Sequence, residues 1–139
     1  MTETRYLVDT SVLGRAHQPI VGNRLEDLVR SGRMWTCRLV DLEIAHASRR
    51  RDVDDVIEER MAFPTAPIDE AVMDRALQVA GMLARSGHHR GAKPADLVIA
   101  AAAEAAGLCV LHYDADYERI AGVTGQPTEW IAPSGTLDR

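Results

Sequence analysis

The chain has 139 residues, enough for one domain around one core, and 46% of them are hydrophobic, which excludes a disordered chain. A net charge of −5 excludes broad capture of polyanions, and 4% aromatic content excludes a nucleic-acid platform of stacked rings. No apolar run approaches membrane-spanning length, and the polar start from Met1 to Arg5 runs straight into a strand, so neither a membrane segment nor a signal peptide is expected and a cytoplasmic location is.

Residues 5–8 read as a first strand that ends abruptly in Asp9, followed by Thr10 and Ser11. A short helix is expected from Ser11 to about His17, with Thr10 or Ser11 as its cap. Val21, Leu25, Leu28 and Val29 recur at helical spacing until Ser31 and Gly32 end that helix. Met34 to Cys37 is a short buried strand. The next helix runs from Arg38 or Leu39 to about Arg49, with Leu39, Leu42 and His46 on one face. Glu43 falls on that stripe, and two placements fit it: inward and paired, or at the border and reaching solvent.

Arg49, Arg50 and Arg51 precede Asp52, Asp54, Asp55, Glu58 and Glu59, the pattern of a solvated helix laced by internal ion pairs. Phe63 to Ile68, bounded by prolines, reads as a short strand or edge segment. Asp69 caps a long amphipathic helix through Ala84. Ser86 to Lys93 is a basic, glycine-punctuated loop. Pro94 then opens an alanine-rich helix that stops at Gly107. Leu108 to Leu111 is a buried strand, a short helix follows around Glu118 to Ala121, and Pro127 to Ile131 is the last strand. Residues 132–139 are expected as a loose tail of the one domain, 1–139. Cys37 and Cys109 read as buried, reduced thiols.

Strands alternate with helices throughout, which predicts a three-layer α/β/α fold with a mainly parallel central sheet. In such a sheet the strand C-termini and the N-termini of the following helices share one edge. Asp9 and Asp114 end buried strands, Asp116 lies two residues further on, and Asp96 sits in the first turn of the alanine-rich helix. Each alone could be a helix cap or a turn former. Together with Glu43 they crowd carboxylates, which repel and take up protons unless a cation sits among them. Oxygen ligands without Cys or His select a hard ion, Mg²⁺ or Mn²⁺. Such an ion lowers the pKa of a coordinated water and neutralises phosphate charge, the chemistry of phosphodiester hydrolysis. The 21 acids and 16 bases become 16 and 16 when these five acids are set aside, so the net charge equals the proposed site in number.

Four segments carry a family resemblance: Val8-Asp9-Thr10-Ser11-Val12-Leu13, Asp41-Leu42-Glu43-Ile44, Pro94-Ala95-Asp96-Leu97-Val98-Ile99-Ala100-Ala101 and Leu111-His112-Tyr113-Asp114-Ala115-Asp116-Tyr117. In order and interval they resemble a PIN domain, and within that superfamily the VapC-type toxins of bacterial toxin–antitoxin pairs. The resemblance implies an Mg²⁺- or Mn²⁺-dependent endoribonuclease, often a homodimer, that acts on an RNA substrate and is inhibited by a cognate antitoxin in a hetero-oligomer. By position it implies Asp9, Glu43, Asp96 and Asp114 as catalytic acids, with Asp9, Asp96, Asp114 and Asp116 toward the metal. Ser11 matches a supporting hydroxyl, and Tyr117 stands where Phe is common, a conservative change.

The basic loop adds Arg90 and Lys93 as candidates for RNA phosphates. An inhibiting partner could insert an Arg or Lys among the carboxylates. A DNA nuclease of related fold and a non-catalytic PIN-like binding module are the alternatives. A haloacid-dehalogenase-like phosphatase would need a second Asp where Ser11 stands, and a receiver's late Lys has no counterpart after His112.

Overall fold

The computed structural model describes residues 3–139. In chain order it contains β1 (Tyr6–Val8), α1 (Thr10–Leu13), α2 (Pro19–Arg30), β2 (Met34–Trp35), α3 (Arg38–Ala47), α4 (Val53–Met61), α5 (Glu70–Arg85), α6 (Pro94–Ala106), β3 (Cys109–His112), α7 (Asp116–Thr124) and β4 (Thr128–Trp130). A single 3-10 turn, Arg50–Asp52, leads into α4.

The four strands are all parallel, in the order β2-β1-β3-β4. Alternation along the strands divides the core. Leu7 and Val110 face one layer, with Val40 of α3, Val72, Val79 and Leu83 of α5, Ile99 to Ala103 of α6, and Tyr117 and Ile120 of α7. Tyr6, Val8, Cys109 and Leu111 face the other, with Val12, Val21, Leu25 and Leu28 of α1 and α2. This is the three-layer α/β/α arrangement expected from the alternating strands and helices.

The chain leaves β1 toward β2 on one side and returns through β3 on the other. The switch in strand order therefore lies between β1 and β3, where parallel sheets open a crevice at their carboxyl edge. Register fixes what meets there. Val8 pairs with Leu111, and the amide of Asp9 donates to the Leu111 carbonyl at 3.0 Å. The acid after β1 is thus held beside the turn that follows β3.

The long helices follow their sequence signals. Asp69 caps α5 by accepting from the Val72 amide at 2.9 Å. Pro94 is the first residue of α6, and Gly107 ends it with φ +69°, a left-handed value that glycine adopts without a Cβ penalty. Both cysteines are buried free thiols.

Five local expectations change. The cap of the first short helix is Asp9 itself, not Thr10 or Ser11, because its side chain accepts from the Ser11 amide. Phe63 to Ile68 forms only one bridge, Thr36 to Thr65, since prolines flank it. α7 is longer than expected because Tyr117 and Ile120 bury against the core and Gly125 stops the helix only at φ +73°. Residues 132–139 are not loose throughout: Ala132 is buried, the Leu137 amide donates to the Tyr113 hydroxyl at 2.9 Å, and Gln18 donates to the Asp138 carbonyl at 2.8 Å.

The fifth concerns α3. Its inward residues are Val40 and Asp41, while Leu42 is 65% exposed and His46 points to solvent. A buried ion pair turns the helix. Arg60 of α4, 5% exposed, donates to Asp41 at 2.9 Å and to Thr36 at 2.9 Å. Thr36 in turn donates to Asp41 at 2.7 Å, and Arg38 holds the other Asp41 oxygen at 2.7 Å. Arg60 also stacks over Phe63, 4.9 Å from its centroid.

Candidate metal centre

Asp96, Asp114 and Asp116 each offer one carboxylate oxygen, and the three oxygens lie within 4.8 Å of one another. Asp96 stands in the first turn of α6, where a carboxylate complements the helix dipole. Asp114 and Asp116 follow β3, and the Asp116 amide donates to Asp114 Oδ1 at 3.0 Å, closing the turn that aims both acids inward. Lys93, the residue before Pro94, extends its ammonium among them, 3.7 Å from Asp96, 3.7 Å from Asp114 and 3.4 Å from Asp116.

Asp9 is buried and stands one step behind this trio. Its Oδ2 accepts from the Ser11 amide at 3.0 Å and the Ser11 hydroxyl at 2.6 Å, and its Oδ1 accepts from the Tyr117 hydroxyl at 2.6 Å. Ser11 also accepts from the Tyr113 amide at 2.9 Å, tying the end of β1 to the turn after β3. The Tyr117 hydroxyl lies 3.5 Å from Asp96 Oδ1 and bridges the two carboxylates. Burial, reinforced by Asp9, pushes the Tyr117 phenol far above its ordinary pKa, so it remains a proton donor. Tyr in place of Phe is therefore more than a conservative change: its hydroxyl enters the site.

Glu43 takes the border placement. It is half-buried on α3 and accepts from the Thr10 hydroxyl at 3.0 Å. His112 is fully buried between Tyr117 and Trp130. Its Nδ1 accepts from the Asp114 amide at 3.2 Å, so Nε2 carries the proton and donates to Glu118 at 2.8 Å. Burial lowers its pKa, and it supports Asp114 as a neutral structural histidine. Arg90 is exposed, and Arg119 of α7 holds Asp116 at 2.6 Å and the Gly91 carbonyl at 3.2 Å. Gly91 permits that closure, since a Cβ there would stand 3.0 Å from Arg119 and from His88.

The donor set fits a hard divalent cation. Among the described residues, Asp96 Oδ2 is buried without a hydrogen-bond partner, and the charge closest to filling that lack is the ammonium of Lys93. Without a metal, Asp96 resists ionisation. Burial raises its pKa from 3.8 to about 7, aided by Asp116, Asp9 and Asp114 and opposed by Lys93. The folded state then binds more protons than the unfolded state between these values. The stability this contributes is complete below pH 3.8 and is lost as pH rises through about 7. Urea melts in chelator should show that loss between about pH 4 and pH 7, and Asp96→Asn should remove it.

The sequence brought these acids to one sheet edge. It did not reveal the Tyr117 bridge, the Thr10–Glu43 bond or the lysine between the carboxylates. Tyr117 carried one available signal, a polar group on an otherwise inward helical position directly after the acidic turn.

The profile of the PIN domain family matches residues 6–123. Ribonuclease VapC21 of Mycobacterium tuberculosis is 42% identical over 135 residues, covering 96% of this chain and 98% of that protein. Ribonuclease VapC18 of the same species is 43% identical over 135 residues, covering 95% and 98%. Among solved structures, DNA-bound VapBC from Salmonella typhimurium superposes with a TM-score of 0.72 at 20% identity, over 94% of this chain and all of the other, which shows a shared fold. VapBC-5 of Mycobacterium tuberculosis superposes with a TM-score of 0.61 at 22% identity, over 92% and 98%.

Proposed function

We propose, from a chain that belongs to the PIN domain family and within it to the VapC ribonucleases, that this protein is the toxin of a toxin–antitoxin pair and a metal-dependent endoribonuclease. The observation that carries the reading is the trio of carboxylates around an unpartnered buried oxygen, at the carboxyl edge of the parallel sheet.

Asp96, Asp114 and Asp116 would hold an Mg²⁺ or Mn²⁺ ion directly, with Asp9 joining through its remaining lone pairs or through water. When bound, such an ion supplies an activated water and neutralises charge on the phosphate. Ser11 and Tyr117 hold both oxygens of Asp9, so the acid is oriented before substrate arrives. Thr10 fixes Glu43 at the rim, where it can accept a proton from the attacking water. His112 and the Asp114–Asp116 turn keep their carboxylates aimed at one point. These residues form one catalytic group: Asp9, Glu43, Asp96 and Asp114, with Asp116 toward the metal and Ser11 in support.

Arg90 lies exposed on the loop that leads into this edge and is proposed to hold an RNA phosphate. Arg90→Ala should weaken RNA binding and lower the salt slope by about one; an unchanged slope would remove Arg90 from the interface.

A cognate antitoxin is the proposed partner, and a homodimer the proposed state of the toxin. Exposed Leu42, Ile57 and Met61 line an apolar groove between α3 and α4 suited to a partner's apolar side chains. Among the described residues, no helix is long and apolar enough to cross a membrane.

End-mapped cleavage of total RNA tests the function. The proposal expects defined cuts with Mg²⁺ or Mn²⁺ and none with chelator. Cutting of duplex DNA with RNA intact would favour a DNA nuclease, and no cutting of either would favour a binding module.

A further inference from the structure

Resting on the cation site above, we propose that Lys93 is a tethered counter-ion that fills the place of the metal in the metal-free protein and is displaced when a divalent cation binds. Three observations carry this. The Lys93 ammonium lies 3.4–3.7 Å from all three acids of the cluster, the distance of ion pairs and not of tight hydrogen bonds. Asp96 Oδ2, buried with no hydrogen-bond partner, has that ammonium at 3.7 Å. The Lys93 side chain is 70% exposed, so it enters the cluster from solvent and can leave it without moving the core.

The backbone suits such a role. Lys93 precedes Pro94, which restricts it to extended conformation, and it shows φ −76° and ψ 154°. Its Cα is thereby fixed at the mouth of the site while the four-carbon stem remains free to swing. A tethered ammonium competes with free cations at a high local concentration. It also relieves the repulsion among three carboxylates when no metal is present. Asp9 accepts the Tyr117 hydroxyl proton at 2.6 Å, and Asp116 has Arg119. Asp114 has Lys93 as its ion-pair partner.

Removing the charge should therefore tighten metal binding, opposite to the effect of removing a ligand. Calorimetric titration with Mn²⁺ in the absence of RNA, on wild type, Lys93→Met and Lys93→Arg, reads this directly. Lys93→Met should bind Mn²⁺ roughly fivefold more tightly, the scale of losing a few part-exposed ion pairs. Lys93→Arg should stay near wild type. In chelator, Lys93→Met should melt below wild type, and the two should melt together in saturating Mn²⁺. Equal or weaker Mn²⁺ binding by Lys93→Met, with clear isotherms in both proteins, would overturn the counter-ion role alone. No binding heat in any of the three would overturn the cation site itself and this role with it.

Discussion

Asp96→Asn is expected to lower RNA cleavage at saturating Mg²⁺ by at least about 100-fold, with the fold retained. The substitution keeps the shape of the side chain and removes its charge. Asp96 is buried, its Oδ2 is unpartnered, and it belongs to the trio whose oxygens lie within 4.8 Å. A neutral amide there is a poor ligand for a hard cation and presents N–H donors to one face of the site. The metal-free protein should not suffer, because the charge that burial opposes is gone. The variant should thus be at least as stable as wild type in chelator at pH 8 and gain less from added metal. Rates within about threefold of wild type would show that Asp96 is not a ligand that matters. Asp9→Asn is expected to share the loss of activity. It also leaves the Tyr117 and Ser11 hydroxyls facing an amide where each now meets a carboxylate.

Asp41→Ala is expected to destabilise the protein by about 3–5 kcal/mol, a large part of the stability of a domain this size. The loss follows from what remains. Arg60 is 5% exposed and would keep a buried guanidinium with only the Thr36 hydroxyl and the Phe63 ring beside it. Arg38 would also lose its partner, a smaller effect because it is partly exposed. A thermal melt should fall by roughly 10–17 °C. Replacing both partners, as Asp41→Leu with Arg60→Met, should recover most of it, since two apolar groups need no pairing. A change below about 1 kcal/mol on Asp41→Ala would mean that the pair does not hold α3 against α4. The pair also reaches the site. It sets the rotation of α3, which sends Leu42 outward to the groove and leaves Glu43 beside Thr10.

These two expectations mark where sequence reading reaches and where it stops. The placement of Asp9 and Asp114 was legible because each comes just past an apolar strand run, with Asp116 two residues further on, and a buried parallel strand must end where its apolar run ends. Asp96 was legible because Pro94 opens a helix and Gly107 closes it. The face of α3 was not legible. Leu39, Leu42 and His46 at helical spacing suggest one stripe, but a charged partner 19 residues away in sequence outweighs one leucine. The arginine-rich stretch Arg49 to Arg51 behaves as expected, with Arg49 pairing with Asp52 at 2.8 Å. Arg60, nine residues after Arg51, looks no different in sequence and is buried. The Tyr117 hydroxyl and the Lys93 ammonium were illegible for a related reason. Tyr117 reaches Asp9 and Lys93 reaches Asp114 across more than 20 residues, and their roles depend on which way a side chain turns after the backbone is placed.

The most direct measurement is the anomalous scattering of Mn²⁺ in crystals of the wild-type protein soaked without RNA. One Mn²⁺ peak bounded by the carboxylates of Asp96, Asp114 and Asp116, at about 2.0–2.3 Å from the ligating oxygens, is the predicted result. The Lys93 ammonium should have left the cluster in the same map. Mn²⁺ found only at surface acids such as Asp54 and Asp55, with Lys93 still among the three aspartates, would contradict the account.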